Sequence, residues 1–272
     1  MKHLFGFLVI FIGMTILFLV GCQKDETNKT AAPGDINSTE KSIIIGDGTF
    51  EGLNGFADDY FTTSGLKSLP LTCPSISLSQ LNSFPLSVTI DWGTGCSNAD
   101  DGTTRSGKII ISLSGLMSNV NSVATFTFKD FVSDGYKISG THKIIYLGLN
   151  SSNSWPRYSV VTEAKIVFPD SKFITYRAEY TRLKSEGAST ATADDDVWRI
   201  EGHSSGVTRE GVAWTASYPS ALVKKHSCKW FSSGTVLITS EGMPDRTINF
   251  GDGTCDNKAT ITIGDKTSDI EL

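Results

Sequence analysis

From Cys73 to the C-terminus apolar and polar residues alternate with period two almost everywhere, and no stretch carries a sustained helical stripe. Phe126 and Phe128 oppose Thr125, Thr127 and Lys129; Tyr176, Ala178 and Tyr180 oppose Arg177, Glu179 and Thr181. Trp198 and Ile200 oppose Arg199 and Glu201, and Ala259, Ile261 and Ile263 alternate with Thr260 and Thr262. Successive side chains of a strand point to opposite faces, so this pattern belongs to half-buried antiparallel strands. Turn formers recur between the runs at Asp134-Gly135, Pro169-Asp170-Ser171, Glu241-Gly242-Met243-Pro244 and Gly264-Asp265. The expectation is an all-β protein of roughly a dozen strands, either an antiparallel β-sandwich or one curled multi-strand sheet.

An internal echo refines this. Thr89-Ile90-Asp91-Trp92-Gly93-Thr94-Gly95-Cys96 returns as Thr247-Ile248-Asn249-Phe250-Gly251-Asp252-Gly253-Thr254-Cys255 with one residue inserted. Each copy has a cysteine upstream, Cys73 or Cys228, and a further strand downstream, which defines two repeat-like units at about 73–115 and 228–272. Four cysteines allow three connectivities. Each upstream and downstream pair brackets a hairpin, whose two ends lie side by side, so Cys73 with Cys96 and Cys228 with Cys255 is the expected pairing. Each bridge then closes a loop of roughly 25 residues, which the chain-entropy account values at about 3 kcal/mol.

The N-terminal part reads differently. Lys2 and His3 precede an uncharged run from Leu4 to Val20, which reads as a signal peptide over residues 1–21. Leu19-Val20-Gly21-Cys22 resembles a bacterial lipobox, which implies lipidation of Cys22 as the first mature residue and attachment to a membrane through that lipid. Gln23-Lys24-Asp25-Glu26 is similar to the lysine-and-acid stretch that sends lipoproteins of Bacteroidota-type bacteria to the outer face of the outer membrane. Residues 22–42 are polar and read as a flexible tether, leaving 43–272 as the folded β domain. Within it, Ile43 to Ile45 with Gly46-Asp47-Gly48 predicts a first strand and a tight turn, and a short helix is expected around Gly55 to Phe61. The formal net charge of -5 is spread thinly and no basic patch exists, which argues against nucleic acid as a partner.

Asp91-Trp92-Gly93, the run from Asp101 to Ile109 and that from Gly251 to Ala259 resemble motifs of a family of uncharacterised Bacteroidota surface lipoproteins, over about Cys73 to Leu272. The resemblance implies a location and names no activity.

Candidate chemistry is sparse. Gly202-His203-Ser204-Ser205-Gly206 matches G-x-S-x-G, but the flanks are β-like and the acid and histidine that follow are in the wrong order for an α/β-hydrolase. It reads as a hairpin loop, with Ser204 no nucleophile. His142 reads as a solvent-facing strand residue. Asp100-Asp101-Gly102, Asp194-Asp195-Asp196 and Asp252 with Asp256 lack EF-hand spacing, so no metal and no cofactor is assigned. Trp198 and Trp214 read as core, whereas Trp155, in a polar loop, is the tryptophan expected at the surface and the one candidate contact for a glycan or protein ligand. The functional expectation is a lipid-anchored outer-membrane protein acting as a binding or structural module. The alternatives are a glycan- or peptide-processing enzyme without a recognisable motif, and a structural or adhesive subunit. The oligomeric state is not legible.

Overall fold

A computed structural model describes residues 38–62, 65–66, 73–79, 83–97, 103–152, 154–190 and 192–272. The expected signal peptide, Cys22 and most of the tether lie outside those residues. The chain begins there with a helix, α1 (Ser38–Tyr60), and a minimal hairpin of β1 (Phe61–Thr62) and β2 (Gly65–Leu66). The alternating region then forms β3 (Ser75–Leu78), β4 (Leu86–Asp91), β5 (Cys96–Ser97), β6 (Thr104–Leu113), β7 (Val123–Ser133) and β8 (Tyr136–Leu149). It continues through β9 (Pro156–Val167), β10 (Phe173–Glu186), β11 (Val197–Val207), β12 (Ala213–Lys225), β13 (Ser233–Ser240), β14 (Arg246–Asp252), β15 (Lys258–Ile263) and β16 (Lys266–Glu271).

These strands make one open, antiparallel, 14-stranded sheet in which spatial order follows chain order from β3 to β16, with β5 pairing off the path onto β6. Of the two architectures the sequence allows, this is the single sheet, not the sandwich. The expected turns fall between strands: Asp134-Gly135 joins β7 to β8, and Gly264-Asp265 joins β15 to β16. Both expected disulfides form, with Cα–Cα separations of 6.6 Å for Cys73–Cys96 and 5.4 Å for Cys228–Cys255. The two repeat-like units thereby sit at opposite ends of the sheet, each with its bridge closing a hairpin.

Alternation sorts the two faces. Ile90, Ile111, Phe126, Val160, Ile174, Tyr176, Val236 and Ile248 are fully or almost fully buried on one face, while Thr127, Glu179, Arg199 and Glu201 are exposed or half-buried on the other. A helix about 10 Å wide cannot cover a flat sheet of this breadth. The sheet curls around α1 instead. Phe50 alone stacks on His142 of β8 and Tyr176 of β10 with ring centroids 5.4 Å away in each case, and meets Phe128 of β7 edge-on at 6.4 Å.

The helix is the principal departure from the sequence reading. Ile43 to Gly48 is not a strand and turn, the tether's last residues 38–42 are already helical, and the short helix expected at Gly55–Phe61 is the end of a longer one. Its buried stripe is Thr39, Ile43, Asp47, Phe50 and Asn54, which has helical spacing but alternates polar with apolar side chains. Tertiary contacts, not a hydrophobic face, hold these residues helical.

Glycine has a specific use at one point of this contact. A Cβ on Gly46 would overlap the Tyr176 ring, so only glycine lets the helix lie this close to β10. Gly55 has open space around the same position. Gly46→Ala is therefore expected to destabilise by about 1–3 kcal/mol through overpacking, and Gly55→Ala to stabilise by about 0.5–1 kcal/mol through helix propensity. Chemical denaturation of both variants checks this; equal effects of one sign would contradict the close packing at Gly46.

Candidate functional site

The seam between α1 and the inner face of the sheet is polar and almost dry. Glu40, near the start of the helix, forms an ion pair with Arg246 of β14 at 2.9 Å, and both side chains are nearly inaccessible. Asp47 accepts a short hydrogen bond from the Tyr176 hydroxyl and a longer one, 3.4 Å, from Tyr218 of β12. Glu51 receives Arg182 of β10 at 2.8 Å, both again buried, and the Arg182 guanidinium lies 3.9 Å from the centre of the Trp198 ring.

Asn54 closes the seam. Its amide nitrogen donates to Glu51 Oε2 and to the Tyr180 hydroxyl, each at 2.8 Å. Its carbonyl oxygen lies 3.0 Å from His142 Nε2, and His142 Nδ1 lies 2.8 Å from the Thr162 hydroxyl. Because an amide oxygen can only accept, Nε2 carries the proton, and Nδ1 of the neutral ring accepts from Thr162. The histidine expected to face solvent is instead on the inner face of β8 and fully buried. Its cross-strand partners Phe126 and Thr162 share that face, and its two nitrogens are satisfied within the seam.

Burial governs the protonation of these groups. It pushes the Asp47 carboxyl up to about 7, against the two tyrosine hydroxyls that favour the charged form. It drives His142 down to about 3, with the positive charge of Arg182 adding to the effect. Tyr176, Tyr180 and Tyr218 are held well above the ordinary phenol range, chiefly by burial. The seam thus presents a protonatable carboxyl, a neutral imidazole and paired ions, each engaged with a neighbour.

Beside this seam the contact opens. A cavity of about 80 Å³ lies between one side of α1, at Ile43, Ile44, Gly48 and Gly52, and the last strands of the sheet. Val236, Ile248 and Phe250 form its floor, and Lys224, Lys229 and Trp230 stand among its remaining walls. Phe231 packs edge-on against Phe250 at 5.3 Å and stiffens one side.

The other candidate residues find structural places. Ser204 is in the middle of β11, not in a turn, and is buried on the inner face while His203 is exposed on the other. A nucleophile and base cannot be formed from neighbours on opposite faces. The small residues of Gly202 to Gly206 make room: a Cβ on Gly202 would stand 2.6 Å from Tyr180 Cβ, and one on Gly206 would stand 2.8 Å from Trp214 Cζ2.

The acidic loops carry turn chemistry. Asp252 accepts from the Thr254 backbone and hydroxyl, Asp256 from the Lys258 backbone, Asp195 from the Thr190 hydroxyl, and Asp196 is paired with Lys184. Asp100 and Asp101 lie outside the described residues, and among the described residues no three His, Cys, Asp or Glu side chains converge as a metal site would require. Trp198 and Trp214 are core, as expected. Trp155, expected at the surface, is half-buried in the β8–β9 connection, where its backbone N–H donates to Asn150 Oδ1 at 2.9 Å. The seam and the cavity escaped sequence reading; helical spacing of Asp47, Phe50, Glu51 and Asn54 was the available signal.

No protein-family model matches the chain, and no curated protein or solved structure is significantly similar to it.

Proposed function

We propose that this chain is a lipid-anchored binding module of the bacterial outer membrane, held through Cys22 and offering the cavity beside α1 as its ligand site. The anchor rests on the lipobox-like Leu19 to Cys22 and the charged residues after it. The observation that carries the binding role is the cavity itself: the rest of the helix–sheet seam is closed by hydrogen bonds and ion pairs, while here apolar walls surround open space. Binding is favoured over turnover because the two acids that line the cavity, Asp47 and Glu51, are engaged with Tyr176, Tyr218 and Arg182.

Cys22→Ala is expected to release the protein from the membrane fraction or leave it unprocessed, and intact cells carrying the natural chain should expose it to added protease. Retention of the variant in membranes, or protection from protease until cells are lysed, would count against the anchor or its outward face respectively.

A second reading, a subunit that assembles through its sheet edges, is favoured by β3 and β16 each having one strand partner among the described residues. Exposed Lys266, Asp269 and Glu271 along β16 oppose strand addition at that end.

A further inference from the structure

We propose that the cavity beside α1 takes a short-chain aliphatic carboxylate, its tail among Ile43, Val236, Ile248 and Phe250 and its carboxylate at Lys224 and Lys229. This rests on the reading of the cavity as a ligand site and adds the chemistry of the ligand.

The walls select the tail. An apolar cavity of 150 Å³ admits benzene, so the 80 Å³ available here admits an aliphatic chain of about four carbons. The isoleucine, valine and phenylalanine walls provide no polar partner for a more hydrated tail.

Charge selects the head. Four ionisable side chains line the cavity: Asp47, Glu51, Lys224 and Lys229. The two acids are already satisfied. Asp47 holds the hydroxyls of Tyr176 and Tyr218, and Glu51 holds Arg182 and the Asn54 amide.

The lysines are not neutralised in the same way. Lys224 shares the inner face of β12 with Leu222, and its ammonium donates to the backbone carbonyls of Cys228 and, at 3.4 Å, Lys225; among the described residues no carboxylate pairs with it. Burial lowers its pKa, with the charge of Glu51 opposing the shift and that of Arg182 adding to it. Lys229 is exposed and stands 4.9 Å from the Trp230 ring centre. With Glu51 paired to Arg182 and the Asp47 carboxyl mostly protonated below its pKa of about 7, the two lysines leave a positive excess above an apolar floor in that pH range, which is the complement of an amphiphilic anion. An ammonium amphiphile is repelled, and an alcohol gains only the floor.

The test uses the full chain in nanodiscs of uncharged lipid, labelled with 5-fluorotryptophan, with the Trp230 resonance assigned from a Trp230→Phe variant. Pentanoate, 1-pentanol and pentylammonium share one tail and differ in head group. Pentanoate is expected to shift the Trp230 resonance saturably and to bind about tenfold more tightly than pentanol, with pentylammonium weaker than both. Lys224→Met, which keeps the bulk of the side chain, is expected to reduce pentanoate to the level of pentanol while leaving pentanol unchanged. Equal binding of pentanoate and pentanol, or an unchanged preference in Lys224→Met, would overturn the head-group assignment and leave the cavity as an apolar site. Failure of all three to move Trp230 would overturn the cavity reading as well.

Discussion

Arg182→Met is expected to destabilise the protein by about 3–5 kcal/mol, the cost of leaving a buried carboxylate without its cation. Arg182 and Glu51 are 2 % and 4 % exposed at the side chain and 2.8 Å apart, so little water is available to replace the lost charge. The variant also removes the guanidinium from the face of Trp198. Replacing both partners, Arg182→Met with Glu51→Met, is expected to recover most of the loss, because desolvation of two ions is then avoided and the pocket remains filled. Urea unfolding of the two single variants and the double variant measures this. A loss below about 1 kcal/mol for Arg182→Met would mean the pair is solvated.

The second large effect is a pH dependence hidden by compensation. Asp47 has a folded pKa of about 7 against 3.8 when unconstrained, so in that interval the folded chain keeps a proton that the unfolded chain has lost. Its contribution is fully present below 3.8 and is lost as pH rises through 7. His142 runs the other way: its folded value is about 3 against 6.5, so its contribution is present above 6.5 and is lost as pH falls towards 3. Between 3.8 and 6.5 the two slopes oppose each other and cancel.

Single substitutions should unmask them. Asp47→Asn keeps an oxygen acceptor for Tyr176 and Tyr218 and leaves His142 alone, so stability should rise by about 4 kcal/mol from pH 3 to 6.5. His142→Gln keeps a donor for Asn54 and leaves Asp47 alone, so stability should fall by about 4 kcal/mol from pH 3.8 to 7. Urea midpoints across this range distinguish the cases. A flat profile for Asp47→Asn would show that His142 is not held neutral.

The strands were legible because each carries its own period and its own turn. Tyr176, Ala178 and Tyr180 announce a buried face whatever lies beyond them, and a sequential meander asks for no long-range information. The disulfides followed from the same locality, since each bridges the ends of one hairpin. The choice between sandwich and curled sheet was not local: it depends on what covers the inner face, and that is α1. The helix was illegible because its buried positions include Thr39, Asp47 and Asn54, which hydropathy scores as exposed. Their partners, Tyr176, Tyr218 and His142, lie far along the chain, where no local pattern links them to the helix. His142 shows the consequence most plainly, since next to Lys143 it looks like a surface residue until Asn54 and Thr162 are set beside it. The Gly202 to Gly206 motif misled in the converse way, because its small residues answer to Tyr180 and Trp214 and not to a loop. The cavity has no sequence signature, being bounded by two segments nearly 200 residues apart.

The order of strands has a consequence for assembly. Neighbours in the sheet are neighbours in sequence, so each new hairpin closes over a short connection and the sheet can accrete one strand at a time. The helix follows a different schedule: Glu40 meets Arg246 only across 206 residues (246 minus 40). Asp47 and Glu51 find their partners on β10 and β12, but Glu40 of α1, the first described element, must stay hydrated until β14 has been laid down. The Glu40–Arg246 pair thus ties the first described element to one of the last strands. A chain truncated before β14 would lack the Arg246 that pairs with Glu40, while keeping the contacts of Phe50, Asp47 and Glu51 with β7 to β12.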